Sequence, residues 1–145
     1  MTMTAREAFE KGTATFNAHD LGGFAEVLAD DVVFNAPGGA HGEGKAACAA
    51  FFGSWFAAFP DARVEVHAVH VVDDVAVEEG TFTGTQSGVL HGPMGDIPPT
   101  GRSVEVDYIQ VLRFRDSKHV SFNLMFDRLR MLEQLGLAPT PAVAG

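Results

Sequence analysis

Apolar residues recur along this chain at two different periods, and the change from one to the other divides it. From about Thr4 to Ala18, the residues Ala5, Ala8, Phe9 and Phe16 fall near one helical face. Thr4 with Glu7 three residues later has the spacing of a capping box, so a first helix is predicted there. His19-Asp20 interrupts it, and Leu21 to Leu28 reads as a short second helix presenting Phe24, Val27 and Leu28. A strand then runs from Asp30 and stops at Pro37 and Gly38-Gly39. Beyond Gly44 the series Cys48, Phe51, Phe52, Trp55, Phe56, Phe59 follows helical spacing in one broad stripe, which predicts a long packing helix ended by Pro60.

From Ala62 the period becomes two. Strands are predicted near Ala62 to Val72, Val75 to Thr85, Ser103 to Arg115 and Lys118 to Phe126, joined in pairs by tight turns at Asp73-Asp74 and Asp116-Ser117. Between the pairs lies GVLHGPMGDIPPTG, whose Gly and Pro content predicts a loop, with Gly88 to Pro99 forming part of a pocket entrance. Helices first and antiparallel hairpins afterwards indicate an α+β class in one domain spanning 1–145, with 1–3 and 138–145 as flexible ends.

The second hairpin can be carried further. If Asp116-Ser117 is a two-residue loop, Arg115 lies opposite Lys118 and counting outward pairs Gln110 with Asn123, Tyr108 with Met125 and Val106 with Asp127. Directly opposed residues share a face, so Tyr108, Gln110, Asn123 and Asp127 would collect on one side. The other side would carry Ile109, Val111, Phe122, Leu124 and Phe126, too apolar for water, and a sheet-to-sheet homodimer is the expected cover. A single bulge would exchange the faces.

Composition narrows the function. Nineteen acidic against ten basic side chains leave a net charge of -9, which repels phosphate backbones and argues against nucleic-acid binding. No uninterrupted apolar run approaches about 18 residues, so no membrane-spanning helix is expected. The N-terminus lacks a signal-peptide pattern, and the single Cys48 cannot form an internal disulfide; both favour the cytoplasm. Six histidines show neither H-x-H nor H-E-x-x-H spacing. His67 and His70 are odd-spaced on a strand and the rest lie near turns, so neither a metal nor any other cofactor is expected. There is no G-x-S-x-G elbow, Cys-His constellation or P-loop.

Several stretches together resemble the SnoaL-like polyketide cyclase family, within the larger group similar to nuclear transport factor 2. They are NAHDL at Asn17 to Leu21, DDVVFNAPGG at Asp30 to Gly39, AAFPDARVEV at Ala57 to Val66, GTFTGTQSG at Gly80 to Gly88, IPPTGRSVEV at Ile97 to Val106 and FDRLRMLEQLG at Phe126 to Gly136. The resemblance implies a curved, cone-shaped, mostly antiparallel sheet wrapped by N-terminal helices around an apolar pocket, usually dimeric. It also implies cofactor-independent ring closure of a bulky, hydrophobic, oxygenated small molecule, with an aspartate near the end of the last strand as acid/base. Asp127 matches that aspartate, while Phe122-Asn123 stands where the family often has His-Trp.

In an apolar pocket a carboxylate rises in pKa and becomes an effective base, and neutral donors stabilise the enolate it creates. Asp127 is therefore the candidate catalytic residue, although it also immediately precedes RLRMLEQLG and suits a helix N-cap equally well. The candidate pocket residues are Tyr108, Gln110, Asn123, Met125, Asn35, Trp55, Phe56 and His91. Trp55 and Phe56 can equally be core, and His91 solvent-exposed. The leading reading is a polyketide cyclase-like enzyme, an aldol cyclase, isomerase or lyase without metal or cofactor, and two alternatives accompany it. One is a domain that binds a small hydrophobic ligand, or only dimerises, without catalysis. The other is an epoxide hydrolase-like site, for which Asp107 and Arg113 are available but fall on the face opposite Asp127.

Overall fold

In the computed structural model, residues 3–92 and 95–137 are described. Apart from Met3, the ends expected to be flexible lie outside them.

Helix α1 (Ala5–Asn17) starts at Thr4, whose hydroxyl accepts from the Glu7 backbone at 3.1 Å while the Glu7 side chain reaches back, completing the capping box. His19 takes φ 56°, and its ring stacks on Phe56 at 4.4 Å between centroids. Asp20 then caps α2 (Leu21–Glu26) by accepting from the Gly23 backbone at 2.9 Å. The second helix is shorter than its pattern suggested, because Leu28 already belongs to β1 (Leu28–Ala36). Gly38 and Gly39 adopt φ 84° and 78° and turn the chain into β2 (Ala40–Glu43), a strand with no periodic signal of its own. Helix α3 (Lys45–Ala58) follows. Its large apolar residues Phe51, Phe52, Trp55 and Phe56, with Cys48 and the C-cap Phe59, pack into the two core clusters, and fully burying one large apolar side chain contributes roughly 1.5–3 kcal/mol.

The remaining strands are β3 (Arg63–Val72), β4 (Val75–Thr85), β7 (Ser103–Arg115) and β8 (Lys118–Phe126). The expected loop contains a small hairpin, β5 (Leu90–Gly92) with β6 (Gly95–Ile97). Short α4 (Arg128–Gln134) closes the described chain. The main sheet has the order β2-β1-β8-β7-β4-β3, with β1 parallel to β8 and the other neighbours antiparallel. This is a curved, open, mostly antiparallel α+β fold.

Two details position everything that follows. Asp116 and Ser117 both take positive φ, so the turn is a two-residue loop and Arg115 does face Lys118. A bulge then inserts Val120: Phe114 pairs with His119 but Arg113 pairs with Ser121. The faces of β8 are thereby exchanged relative to simple counting. Phe122, Leu124 and Phe126 turn inward with Leu112, Gln110 and Tyr108, while Asn123 and Met125 turn outward with Val111 and Ile109.

The second detail is Gln86, which is wholly buried at the end of β4. Its Nε2 donates to the carbonyls of Gly88, Ile97 and Pro98, and its Oε1 accepts from the Thr100 backbone and hydroxyl. The base of the β5–β6 hairpin is thus tied to the sheet, and Leu90 is buried in the core with Phe59 and Leu135. None of the described residues between Gly88 and Pro99 lines the cavity, so these do not form the expected entrance; Pro93 and Met94 lie outside the described residues.

Candidate active site

The inner face of the sheet and the three N-terminal helices enclose a cavity of about 100 Å³. Its walls are aromatic: Phe16 from α1, Phe24 from α2, Phe51, Phe52 and Trp55 from α3, and Phe82, Phe122 and Phe126 from the sheet. Among the described lining residues there is one carboxylate, Glu78, and no Lys or Arg.

Glu78 lies on β4 opposite Gln110 and only 4% of its surface is exposed. The Tyr108 hydroxyl donates to its Oε2 at 2.9 Å, and Gln110 Nε2 donates to its Oε1 at 2.6 Å. Burial pushes the Glu78 carboxyl above the usual range, and the two donors pull part of the way back. The Tyr108 hydroxyl is likewise pushed up, by burial first and then by the neighbouring carboxylate, so it stays a neutral donor at any physiological pH. The arrangement needs Gly80. A Cβ there would come within 2.6 Å of the Tyr108 hydroxyl and 2.7 Å of the Glu65 carbonyl, so only glycine lets the tyrosine ring cross β4.

Of the residues proposed from sequence, Tyr108, Gln110 and Trp55 meet at this cavity and the others do not. Asn123 and Met125 follow the Val120 bulge to the outer face, where Asn123 accepts from Asn35 at 3.1 Å and Asn35 bonds His41 at 2.8 Å. Phe56 packs on Phe16 and His19 behind the cavity wall. His91 is exposed and bonds Asp96 at 2.7 Å. Asp127 is exposed at the start of α4, where its Oδ1 accepts from the Arg130 backbone at 3.0 Å; of its two candidate roles the geometry gives it the cap.

Asp107 also stands on the outer face, accepting from the Thr81 hydroxyl at 2.7 Å, so the two-aspartate, one-arginine arrangement of an epoxide hydrolase is not assembled at the cavity. No three His, Cys, Asp or Glu side chains converge on a metal position among the described residues, and none of the described helices is long and apolar enough to cross a membrane. Cys48 is buried and its thiol is pushed up to about 12 by burial, which makes it unreactive.

Glu78 itself was legible in part. It is one of two consecutive glutamates on a strand, and alternation sends one of any such pair inward; its parity with Ala76, Gly80 and Phe82 says which.

The architecture is thus a curved, open α+β fold in which one buried carboxylate faces an aromatic cavity. This chain belongs to the SnoaL-like domain family, whose model matches residues 9–122. Among solved structures it is similar to AclR from Streptomyces galilaeus, a proposed hydroxylase, at 26% identity and TM-score 0.78 over 96% of this chain and 89% of that one. IdmH from Streptomyces antibioticus, a proposed polyketide cyclase, shares 26% identity at TM-score 0.77 over 92% and 99%. A SnoaL-like protein from Jannaschia has the same fold at 22% identity and TM-score 0.82, covering 93% of each chain. Among curated proteins, none matches the chain.

Proposed function

We propose that the chain is a cofactor-independent acid–base enzyme of the polyketide cyclase-like kind, acting on an apolar, oxygenated small molecule with Glu78 as the proton acceptor. The observation that carries this reading is a solvent-excluded carboxylate, held by two neutral donors, facing an otherwise aromatic cavity. Family membership and the likeness to IdmH support it.

Glu78 takes a proton from the carbon next to a substrate carbonyl, and the electron pair moves onto the carbonyl oxygen as an enolate. Once Glu78 is protonated it no longer needs both donors, so the Tyr108 O–H and Gln110 N–H become free to hold that oxygen. The enolate carbon then attacks a second carbonyl of the same molecule. The new alkoxide recovers the proton from Glu78, so no oxidant or reductant is consumed. The cavity is smaller than the roughly 150 Å³ known to accept a benzene molecule, so a substrate larger than one ring enters only as the α1 and α3 aromatics turn aside.

The test needs no knowledge of the natural substrate. Deuterium uptake from solvent at the carbon next to the carbonyl of 2-tetralone, followed by NMR, reports base strength in the cavity. Glu78→Gln should lower the protein-catalysed rate on the order of a hundredfold, and Asp127→Asn should leave it unchanged. Equal rates for wild type and Glu78→Gln would favour a domain that binds a hydrophobic ligand without turning it over.

We also propose a homodimer through the outer sheet face. Ile109 and Met125, paired in register and 51% and 68% exposed, form its apolar centre with Val111; Ile109 and Val111 are as expected, while Met125 stands in place of Phe122, Leu124 and Phe126. The lone buried Cys48 suits a reducing cytoplasm.

A further inference from the structure

His119 has no role in the mechanism above, yet it is the most anomalous side chain in the protein. It lies on β8 opposite Phe114 and is 2% exposed, and neither ring nitrogen makes a hydrogen bond of proper geometry, although the Ala8 backbone bears on the ring. Phe122 stacks on one side at 4.8 Å and Phe114 leans on another at 4.5 Å. The ring's third side meets α1 at Gly12, where a Cβ would come 2.9 Å from Nε2. The chain thus accepts a glycine inside a helix, roughly 1 kcal/mol worse than alanine, and leaves the adjoining imidazole unsatisfied, a further penalty of about 1–3 kcal/mol. A phenylalanine would fill the same aromatic stack without the second penalty. Gly12, Thr13 and His119 all border the cavity at its α1 end.

Resting on the cavity being the ligand site, we propose that His119 is its second polar contact: a neutral imidazole that hydrogen-bonds an oxygen at the far end of the molecule whose near end sits at Glu78. The sheet register sets the span. Glu78 is opposite Gln110 and His119 opposite Phe114, four residues farther along β7 and two strands across. At about 3.3 Å per residue and 4.8 Å per strand, the two Cα atoms are roughly 16 Å apart along the sheet. The ligand is therefore elongated, apolar in its middle and oxygenated at both ends. An isolated carbonyl compound would leave His119 unpaired.

The test compares one-ended probes, 2-naphthol and 4-phenylphenol, with their two-ended counterparts, naphthalene-2,6-diol and biphenyl-4,4′-diol, by calorimetry on the full chain. In wild type at least one diol should bind about tenfold tighter than its one-ended partner, the value of one satisfied buried group. His119→Phe should erase that advantage while leaving the one-ended affinity unchanged, and His119→Gln, which keeps a nitrogen donor, should restore part of it. On binding, the ring nitrogen resonances of His119 should move in wild type with the diol only. Equal affinity of diols and one-ended probes in wild type, or an advantage that survives His119→Phe, overturns the proposal. If the probes bind and Glu78→Gln weakens them all, the cavity reading stands even when His119 fails. If no probe binds wild type, both fall together.

Discussion

Replacing His119 by phenylalanine should make the protein's stability less sensitive to acid, and the size of the effect follows from the burial of the ring. Its nitrogens are shut away from water between Phe114, Phe122 and Gly12, none of which carries charge, so the cation is strongly disfavoured. Burial pulls the imidazole down from 6.5 to about 4; the Ala8 backbone acts weakly the other way without forming a hydrogen bond of proper geometry. The sign is that of a base kept neutral by folding. Above pH 6.5 neither state binds the proton, and as pH falls from 6.5 toward 4 the unfolded chain binds it while the folded one does not. Each unit is worth 1.36 kcal/mol, so by pH 4 the wild type loses about 3 kcal/mol through this one residue, a large share of a typical 5–15 kcal/mol. Urea unfolding followed by Trp55 fluorescence at pH 7.5 and pH 4 measures it. Subtracting the two pH values within each protein, and then comparing wild type with His119→Phe, removes the contribution of every other titrating group. A difference below about 0.5 kcal/mol would show that the ring reaches water or a partner, and would refute the burial reasoning.

Glu78 acts with the opposite sign. Its carboxyl is raised by burial, so stability is fully present below about 4.5 and is lost as pH rises through the folded value; Glu78→Gln should therefore raise the melting temperature at pH 8 more than at pH 4. Gly80→Ala sets a methyl against the Tyr108 hydroxyl and the Glu65 carbonyl, and should cost about 1–3 kcal/mol in chemical unfolding while displacing the tyrosine from Glu78. Met125→Asp places a charge at the centre of the outer face, and light scattering should show a wild-type dimer become monomeric; a wild type already monomeric at micromolar concentration would remove that interface.

The elements were largely legible because their causes are local. The Thr4 and Glu7 pair marks the first helix, the aromatic stripe from Cys48 to Phe59 marks the third, and alternation marks the four long strands. What escaped was set by geometry that no single residue announces. Val120 is an ordinary strand residue, yet as a bulge it decides that Asn123 and Met125 face outward and that Phe122, Leu124 and Phe126 build the cavity wall. Strand β2 owes its existence to two glycines with positive φ and to pairing with β1. The sequence resemblance pointed to Asp127, but the helix beginning at the next residue claims its carboxylate as a cap. Glu78 was hidden by the ordinary expectation that adjacent acids on a strand are solvated.

Gln86 gives the molecule a place where it can be rewritten. With the hairpin's base held by the Gln86 amide and by backbone bonds from Ser87 and Gly88 to Ala58, changes at the exposed hairpin tip should be tolerated best, provided Gly88 is kept and Leu90 or an equivalent still seals the core. None of the hairpin's described residues lines the cavity, while Leu90 packs in one cluster with the cavity residues Val106 and Met131 and so backs the chamber wall. A lineage could diversify the hairpin as a recognition arm while keeping its chamber intact, and an engineer could graft a peptide there with the same freedom.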